Sequence, residues 1–127
     1  MKNLFLAVIF TVSSVALYAQ RTITCTSRDV CQYNESTKKH DNCETQEEAS
    51  VFKINAEESE FQHTTPTMNS TYYVQSREYP KGGNKIFAVT SDAGNNYTFI
   101  VDEKKKELRI LTYMGVVIKF KITKIEK

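Results

Sequence analysis

The chain has 127 residues, with 17 basic and 15 acidic side chains and a formal net charge of +2. A composition of 40% hydrophobic and 25% charged residues is ordinary for a globular protein, and four glycines with two prolines exclude collagen-like and low-complexity chains. The nearly balanced charge gives no reason to expect nucleic acid or a membrane surface as a partner. We therefore expect one small globular domain.

Residues 1–19 have the pattern of a secretory signal peptide. Lys2 precedes a mostly apolar run over residues 4–19, and this run is shorter than the roughly 20 apolar residues of a membrane-spanning helix. We predict cleavage after Ala19, with cleavage after Ala16 as the alternative. The protein should then be secreted or periplasmic, without membrane attachment after signal removal.

Residues 20–50 form a polar segment that contains all three cysteines. In an oxidising compartment, an odd number of cysteines predicts one disulfide and one free thiol. Cys25 alternates with Ile23 in a strand-like pattern, so we predict that Cys25 is a buried free thiol. Cys31 then pairs with Cys43 and closes a polar loop over residues 32–42. Spacing alone leaves open the alternative in which Cys25 pairs with Cys43.

Residues 51–127 carry apolar side chains at every second position, the pattern of antiparallel strands with one face in the core. Turn residues separate these strands at intervals too short for crossover helices, so we predict hairpins. The predicted inward rows are Phe52 and Ile54; Phe61 and His63; Tyr72 and Val74; Phe87 and Val89; Tyr97, Phe99 and Val101; Leu108 and Ile110; and Val116, Ile118, Phe120 and Ile122.

Seven strands after residue 50, with an eighth at residues 22–26, predict an all-β fold. We expect an antiparallel up-and-down meander that forms a small barrel or a two-layer sandwich, and we favour the barrel. Residues 20–50 should pack with residues 51–127 as one domain. The sequence Thr45-Gln46-Glu47-Glu48 matches a capping box and predicts a short helical turn before the strand at Val51.

Charge is distributed unevenly along the chain. Residues 29–60 carry nine acidic and three basic side chains, whereas residues 101–127 carry four acidic and eight basic ones. We expect the two segments to lie side by side and partly neutralise each other. The alternative is a bipolar surface used for docking.

An exported up-and-down meander resembles the lipocalin and calycin architecture. The resemblance concerns the arrangement of strands, because the chain contains no tryptophan and therefore lacks the Gly-x-Trp motif of lipocalins. It implies a barrel whose interior or open end accepts a small apolar molecule. No site residue follows from it.

No residue pattern indicates catalysis. His63 lies on an apolar strand face, and no Gly-x-Ser-x-Gly motif is present. His40, Asp41 and Cys43 could supply zinc ligands, but their spacing matches no recurrent zinc pattern and oxidation would remove the thiolate ligand. We predict no catalytic, cofactor or metal site.

Two surface features have functional interpretations. Tyr73 and Gln75 share the face opposite Val74, which makes them the predicted exposed contact. Three asparagines match the N-glycosylation rule, which has meaning only in a eukaryotic host; they are Asn34, Asn69 and Asn96.

These observations favour a non-catalytic binding or protein-interaction module, with an unknown protein or a small apolar ligand as its partner. Docking could use a sheet edge or the acidic segment. The alternative is a carrier of small apolar ligands with lipocalin-like architecture. An enzyme, such as a hydrolase, is the least supported class. The predicted inward side chains are mostly phenylalanines, which favours a filled interior over a pocket.

Overall fold

The computed structural model describes residues 20–112 and 114–126, so the predicted signal peptide lies outside the described residues. Within these ranges the chain forms nine strands and no helix. The strands are β1 (Arg21–Asn34), β2 (Lys39–Gln46), β3 (Ser50–Ile54), β4 (Glu60–Thr64), β5 (Asn69–Glu78), β6 (Asn84–Ser91), β7 (Asn96–Asp102), β8 (Glu107–Thr112) and β9 (Val116–Glu126).

The nine strands form one antiparallel sheet in the order β2-β1-β3-β4-β5-β6-β7-β8-β9. An additional pairing of β1 with β9 closes this sheet. β1 and β3 to β9 therefore form an eight-stranded barrel, and β2 is an extra strand beside it. The predicted meander is confirmed, and of its two forms the barrel is the observed one.

The N-terminal segment is more regular than its sequence suggests. β1, predicted over residues 22–26, continues to Asn34, and the predicted polar loop is a hairpin with its turn at residues 35–38. Cys25 in the first half of β1 lies opposite Ser50 of β3, and Arg28 in the second half lies opposite Gln46 of β2. β2 and β3 thus follow one another along one edge of β1, while β9 lies along the other.

The helical turn predicted for residues 45–48 is wrong. Thr45 and Gln46 are the last residues of β2, and residues 47–49 connect β2 to β3 without regular structure. The Thr45 hydroxyl donates a hydrogen bond of 2.7 Å to the Asp29 carboxylate of β1. Because this cross-strand bond engages the hydroxyl that would cap a helix, pairing with β1 overrides the local helical signal.

The middle of the barrel is filled by aromatic rings. Edge-to-face contacts with centroid separations of 5.0 Å join Phe61 to Phe87, Phe61 to Phe99 and Phe52 to Phe120. All five of these phenylalanines are at most 1% exposed, which confirms that they point inward as predicted. Aromatic packing of this kind supplies much of the burial that stabilises a small domain.

The cysteines adopt the predicted arrangement. Cys31 and Cys43 form a disulfide that joins β1 to β2, and Cys25 is a buried free thiol. Burial raises the pKa of Cys25 to about 12, so its thiol stays protonated at neutral pH. Cys31 also lies opposite Val117 of β9, and both are buried. The disulfide region therefore has a small apolar contact of its own outside the barrel interior.

The acidic and basic segments of the sequence meet where β1 pairs with β9. Asp29 of β1 lies directly opposite Lys119 of β9. Opposite charges at facing positions of neighbouring strands attract each other. At this pair, the two segments lie side by side as expected.

Charged and polar side chains cover one end of the barrel. Arg21 of β1 forms an ion pair with Glu103 in the β7–β8 turn. The Tyr79 hydroxyl donates a hydrogen bond of 2.6 Å to Glu58, and the Lys85 ammonium lies 3.4 Å from the same carboxylate. Burial acts to raise the pKa of Glu58, but these two partners outweigh it and hold that pKa below its usual value.

Candidate functional site

The opposite end of the barrel is open and forms a cavity of about 380 Å³, which we call the cup. Its volume is in the lower part of the range of small-molecule sites. Six strands of the barrel, β2 and the β4–β5 connection all contribute to its wall. The lining residues are Arg28, Val30, Gln46, His63, Met68, Tyr72, Tyr97, Ile110, Thr112, Ile118 and Phe120.

The cup lies where the inward-pointing side chains of β1, β8 and β9 become smaller. Phe120 and His63 are the last rings of the filled core on β9 and β4. One step further along the pleat, Ile118 of β9 lies opposite Val30 of β1. Thr112 occupies the corresponding end of β8. These side chains are too small to meet across the barrel, so space remains above the two rings.

His63 forms the polar part of the floor of the cup. Its side chain is 3% exposed, its ring stacks on Phe52 at a centroid separation of 4.1 Å, and the edge of Phe120 is 5.3 Å away. Neither ring nitrogen has a hydrogen-bond partner among the described residues. Burial, assisted by the positive charge of Arg28, lowers the pKa of His63 to about 4. At neutral pH the ring at the floor therefore carries one N–H donor and one nitrogen acceptor, and both nitrogens are buried beneath the surface of the cup.

Arg28 is the one charged side chain among the described residues that line the cup, since His63 is neutral. Its Nε donates a hydrogen bond of 2.7 Å to Oε1 of Gln46. Its Nη2 lies 3.6 Å from Oε1 of Glu48, which follows β2. β1 and β2 thus hold the guanidinium at the side of the cup, and Glu48 opposes part of its charge.

Two tyrosines form an aromatic wall. The rings of Tyr72 and Tyr97 meet edge to face at 5.8 Å, and Tyr72 also lies 4.8 Å from Phe99 in the core. Burial is the main reason that the pKa of Tyr72 is raised above its usual value. The Tyr72 hydroxyl therefore stays neutral at neutral pH.

Two other depressions lie on the outside of the barrel. One, of about 590 Å³, is polar and lies at the β1–β2 turn between Gln32 and Asn42. The other, of about 540 Å³, lies over β5 to β8 and includes Gln75 and Leu111. Both are larger than the cup but more open to solvent. Neither is lined by a buried side-chain polar atom that lacks a partner among the described residues. The cup is therefore the better candidate site.

The surface residues singled out from the sequence do not line the cup. Tyr73 is 48% exposed on the outer face of β5, and Gln75 is exposed beside the depression over β5 to β8. Of the three sequon asparagines, Asn69 and Asn96 are exposed, whereas Asn34 is partly buried and accepts a hydrogen bond from the Ser36 amide.

Sequence reasoning missed three polar residues of the cup, Arg28, Gln46 and Thr112. Arg28 lies beyond the strand predicted at residues 22–26, and Gln46 lies in the predicted helical turn, so no inward direction could be assigned to either. The one signal that was available is His63, a polar residue at an apolar position of a strand row. Such a residue indicates either a satisfied core histidine or a site, and its lack of a hydrogen bond in the structure favours the site.

The described residues contain no group of three or more His, Cys, Asp or Glu side chains that could hold a metal ion. Cys43, one of the ligands considered for zinc, is bonded to Cys31. Within the same residues there is no helix with the length and apolar character needed to cross a membrane. Comparisons of the chain with protein-family models, curated proteins and solved structures find no match.

Proposed function

We propose that this protein is a non-catalytic binding module that holds a small, largely apolar molecule in the cup. The observation that carries the proposal is His63, which is buried at the floor of the cup with both ring nitrogens unpartnered among the described residues. A buried polar group without a hydrogen bond destabilises the folded state by about 1–3 kcal/mol. A ligand that hydrogen-bonds His63 would remove that penalty, so the penalty itself favours ligand binding.

The character of the cup supports this function. Its walls combine apolar surface from Val30, Ile110 and Ile118 with the rings of Tyr72 and Tyr97. Small-molecule sites have this composition, in which a mostly apolar lining carries a few polar groups that orient the ligand. The barrel and its open end also agree with the lipocalin-like architecture that the strand pattern resembles.

The chemistry of the described residues supports binding over catalysis. Nucleophilic catalysis needs a base within hydrogen-bond reach of a serine or cysteine. His63 has no such neighbour among the described residues. Cys25 is buried with its pKa raised to about 12, and Cys31 and Cys43 are oxidised to a disulfide.

Docking of another protein through the edge of β2 has weaker support. Within the described chain this edge lacks a neighbouring strand. However, β2 carries Lys39, Asp41 and Glu44, and charged side chains on an edge strand discourage pairing with another strand. We therefore place the function in the cup.

We also propose that the protein works outside the cytoplasm. The disulfide between Cys31 and Cys43 supports this location, because disulfides persist in oxidising compartments. The apolar pattern of residues 4–19 supports export through a cleaved signal peptide. The intact mass of protein recovered from its native host should correspond to a chain that begins at Gln20. Recovery of the uncleaved chain would contradict this proposal.

The binding proposal is tested with 2-naphthamide, a neutral aromatic probe small enough for the cup. Calorimetric titration should show saturable 1:1 binding with a Kd of about 1 mM or tighter. Val30→Trp places an indole in the cup and should weaken binding at least about tenfold by occlusion. Tyr73→Trp, which adds the same side chain on the outer face of β5, is the matched control and should leave the Kd within about twofold.

Two results would contradict the proposed site. One is the absence of saturable binding by the unaltered protein. The other is equal weakening by Val30→Trp and Tyr73→Trp, because the probe would then bind elsewhere or the tryptophan would act through stability. Circular dichroism melts of both variants, made beside the titrations, identify loss of folded protein.

A further inference from the structure

The cup has an electrostatic asymmetry that limits the kind of molecule it can hold. Arg28 contributes a positive charge, and no aspartate or glutamate is among the described residues that line the cup. Glu48 lies 3.6 Å from Arg28 but is not part of that lining. The interior of the cup therefore favours an anionic group and disfavours a cationic one.

Arg28 and His63 flank the same ring at the floor. Arg28 lies opposite Phe120 in the pairing of β1 with β9, and the His63 ring is 5.3 Å from the Phe120 ring. Burial is the main cause of the lowered pKa of His63, and the positive charge of Arg28 adds to it. An acceptor placed above Phe120 would thus have the Arg28 side chain on one side and the His63 ring on the other.

Two nitrogens of the Arg28 guanidinium already have partners. Gln46 accepts from Nε, and Glu48 is a distant partner of Nη2. Gln46 thus holds the guanidinium through Nε, and among the described residues Glu48 is the one carboxylate that forms an ion pair with its terminal nitrogens. A guanidinium pairs best with a carboxylate, whose two oxygens match its planar donors.

The size of the cup limits the remainder of the ligand. A volume of about 380 Å³ is equivalent to about a dozen water-sized groups. The wall next to the floor is formed by the rings of Tyr72 and Tyr97, and the Phe120 ring is part of the floor. These dimensions suit one or two fused rings or a short aliphatic chain, and the aromatic wall favours a flat ring.

We propose that the ligand of the cup is a small monoanionic carboxylic acid with an aromatic body. Its carboxylate lies between Arg28 and His63, and its ring lies against Tyr72 and Tyr97. This inference rests on the proposed function and deepens it, because it names the class of ligand. Arg28 is the one cation among the described residues that line the cup and Glu48 already opposes part of its charge, which is why a single negative charge is specified.

The test compares two probes of nearly identical shape, 2-naphthoate and 2-naphthamide, near neutral pH. The unaltered protein should bind 2-naphthoate at least about tenfold more tightly, because a hydrogen bond to a charged partner is worth more than a neutral one. Arg28→Gln should reduce this preference to less than about threefold, and the ratio of the two Kd values is compared within each protein so that any general effect of the change on the cup cancels. Lys121→Gln also removes one positive charge, but from an exposed outward position, and should leave both Kd values unchanged.

Nuclear magnetic resonance of the histidine rings locates the bound acid. The chain has two histidines, His40 and His63, so His63→Gln assigns the signals. Binding of 2-naphthoate should shift the ring nitrogen signals of His63, and an unchanged His63 spectrum at saturation would overturn the proposed position of the carboxylate.

The outcomes separate this inference from the proposed function. If both probes bind with equal affinity and Arg28→Gln changes neither, the cup binds small molecules but not through an acid group, and the inference is wrong. If neither probe binds, the proposed function fails together with the inference. If Lys121→Gln weakens 2-naphthoate as much as Arg28→Gln does, the preference is a long-range effect of net charge, which also overturns the assignment to Arg28.

Discussion

His63 shows how a single residue can belong to both the core and the site. Its lower side stacks on Phe52 at 4.1 Å as an aromatic core residue would. Its ring nitrogens have no partner among the described residues, although the side chain is only 3% exposed. A phenylalanine at this position would avoid the desolvation of two nitrogens. A ligand that hydrogen-bonds the ring would offset this cost.

The buried state of His63 predicts a pH dependence of stability. The pKa of His63 is lowered from 6.5 to about 4 in the folded protein, mainly by burial. Between these values the unfolded chain binds a proton that the folded protein does not, so the free energy of unfolding decreases as the pH falls. The contribution is fully present above pH 6.5, and about 3 kcal/mol of it should be lost by pH 4.

Urea unfolding at several pH values measures this effect. The comparison variant is His63→Phe, which keeps the stacked ring but does not titrate. Carboxylates such as Glu58 also lose favourable interactions in acid, but they are present in both proteins and cancel in the difference. The difference in stability between the two proteins should change between pH 6.5 and pH 4. A constant difference would contradict the buried, neutral state of His63.

At the scale of the element, β9 gives the sharpest test of the strand pattern. Phe120 is 1% exposed and contacts Phe52 at 5.0 Å, whereas the next residue, Lys121, is exposed. Phe120→Ala should lower the free energy of unfolding by about 3–5 kcal/mol through lost burial and the resulting cavity. Lys121→Ala should change it by no more than about 0.5 kcal/mol. Denaturant unfolding of both variants measures the contrast, and comparable losses would contradict the alternation of β9.

The elements differ in how far their sequence predicts them. β3 to β9 were predictable because each strand has one face in the core, which places residues such as Phe87 and Val89 at every second position. β2 has no such face, because it lies beside the barrel and pairs only with β1 among the described strands. Its sequence, Lys39–Gln46, is polar throughout. A strand that forms by pairing with its neighbour, without a face in the core, has no periodic pattern of apolar residues in its sequence.

At the scale of the whole molecule, the cup could not be predicted because it depends on how distant strands are aligned around the barrel. Its floor depends on β1 pairing with β9 so that Arg28 lies opposite Phe120, a contact between positions far apart in the chain. Register irregularities near Cys25 in this pairing shift the inward positions of β1, and such bulges are not evident from alternation. The sequence indicated a filled barrel from its phenylalanines. The small side chains that leave the end open matter only after the strands are aligned around the barrel.

Closure of the barrel also predicts how stability is distributed. β1 is bonded on both sides, to β9 along one edge and to β3 and β2 along the other. β2 lies at the edge of the sheet, so about half of its amides point away from β1 and have no strand to bond.

Local opening occurs where such bonds are missing. We therefore expect the central amides of β1 and β9 to exchange hydrogen only through global unfolding. The outward amides of β2 should exchange with an opening free energy at least about 3 kcal/mol lower. Native-state hydrogen exchange followed by nuclear magnetic resonance measures both sets in one experiment, with the disulfide intact so that the β1–β2 hairpin stays joined. Protection of β2 equal to that of β9 would mean that another segment covers the β2 edge, and early exchange along both β1 and β9 would mean that the barrel is not closed between them.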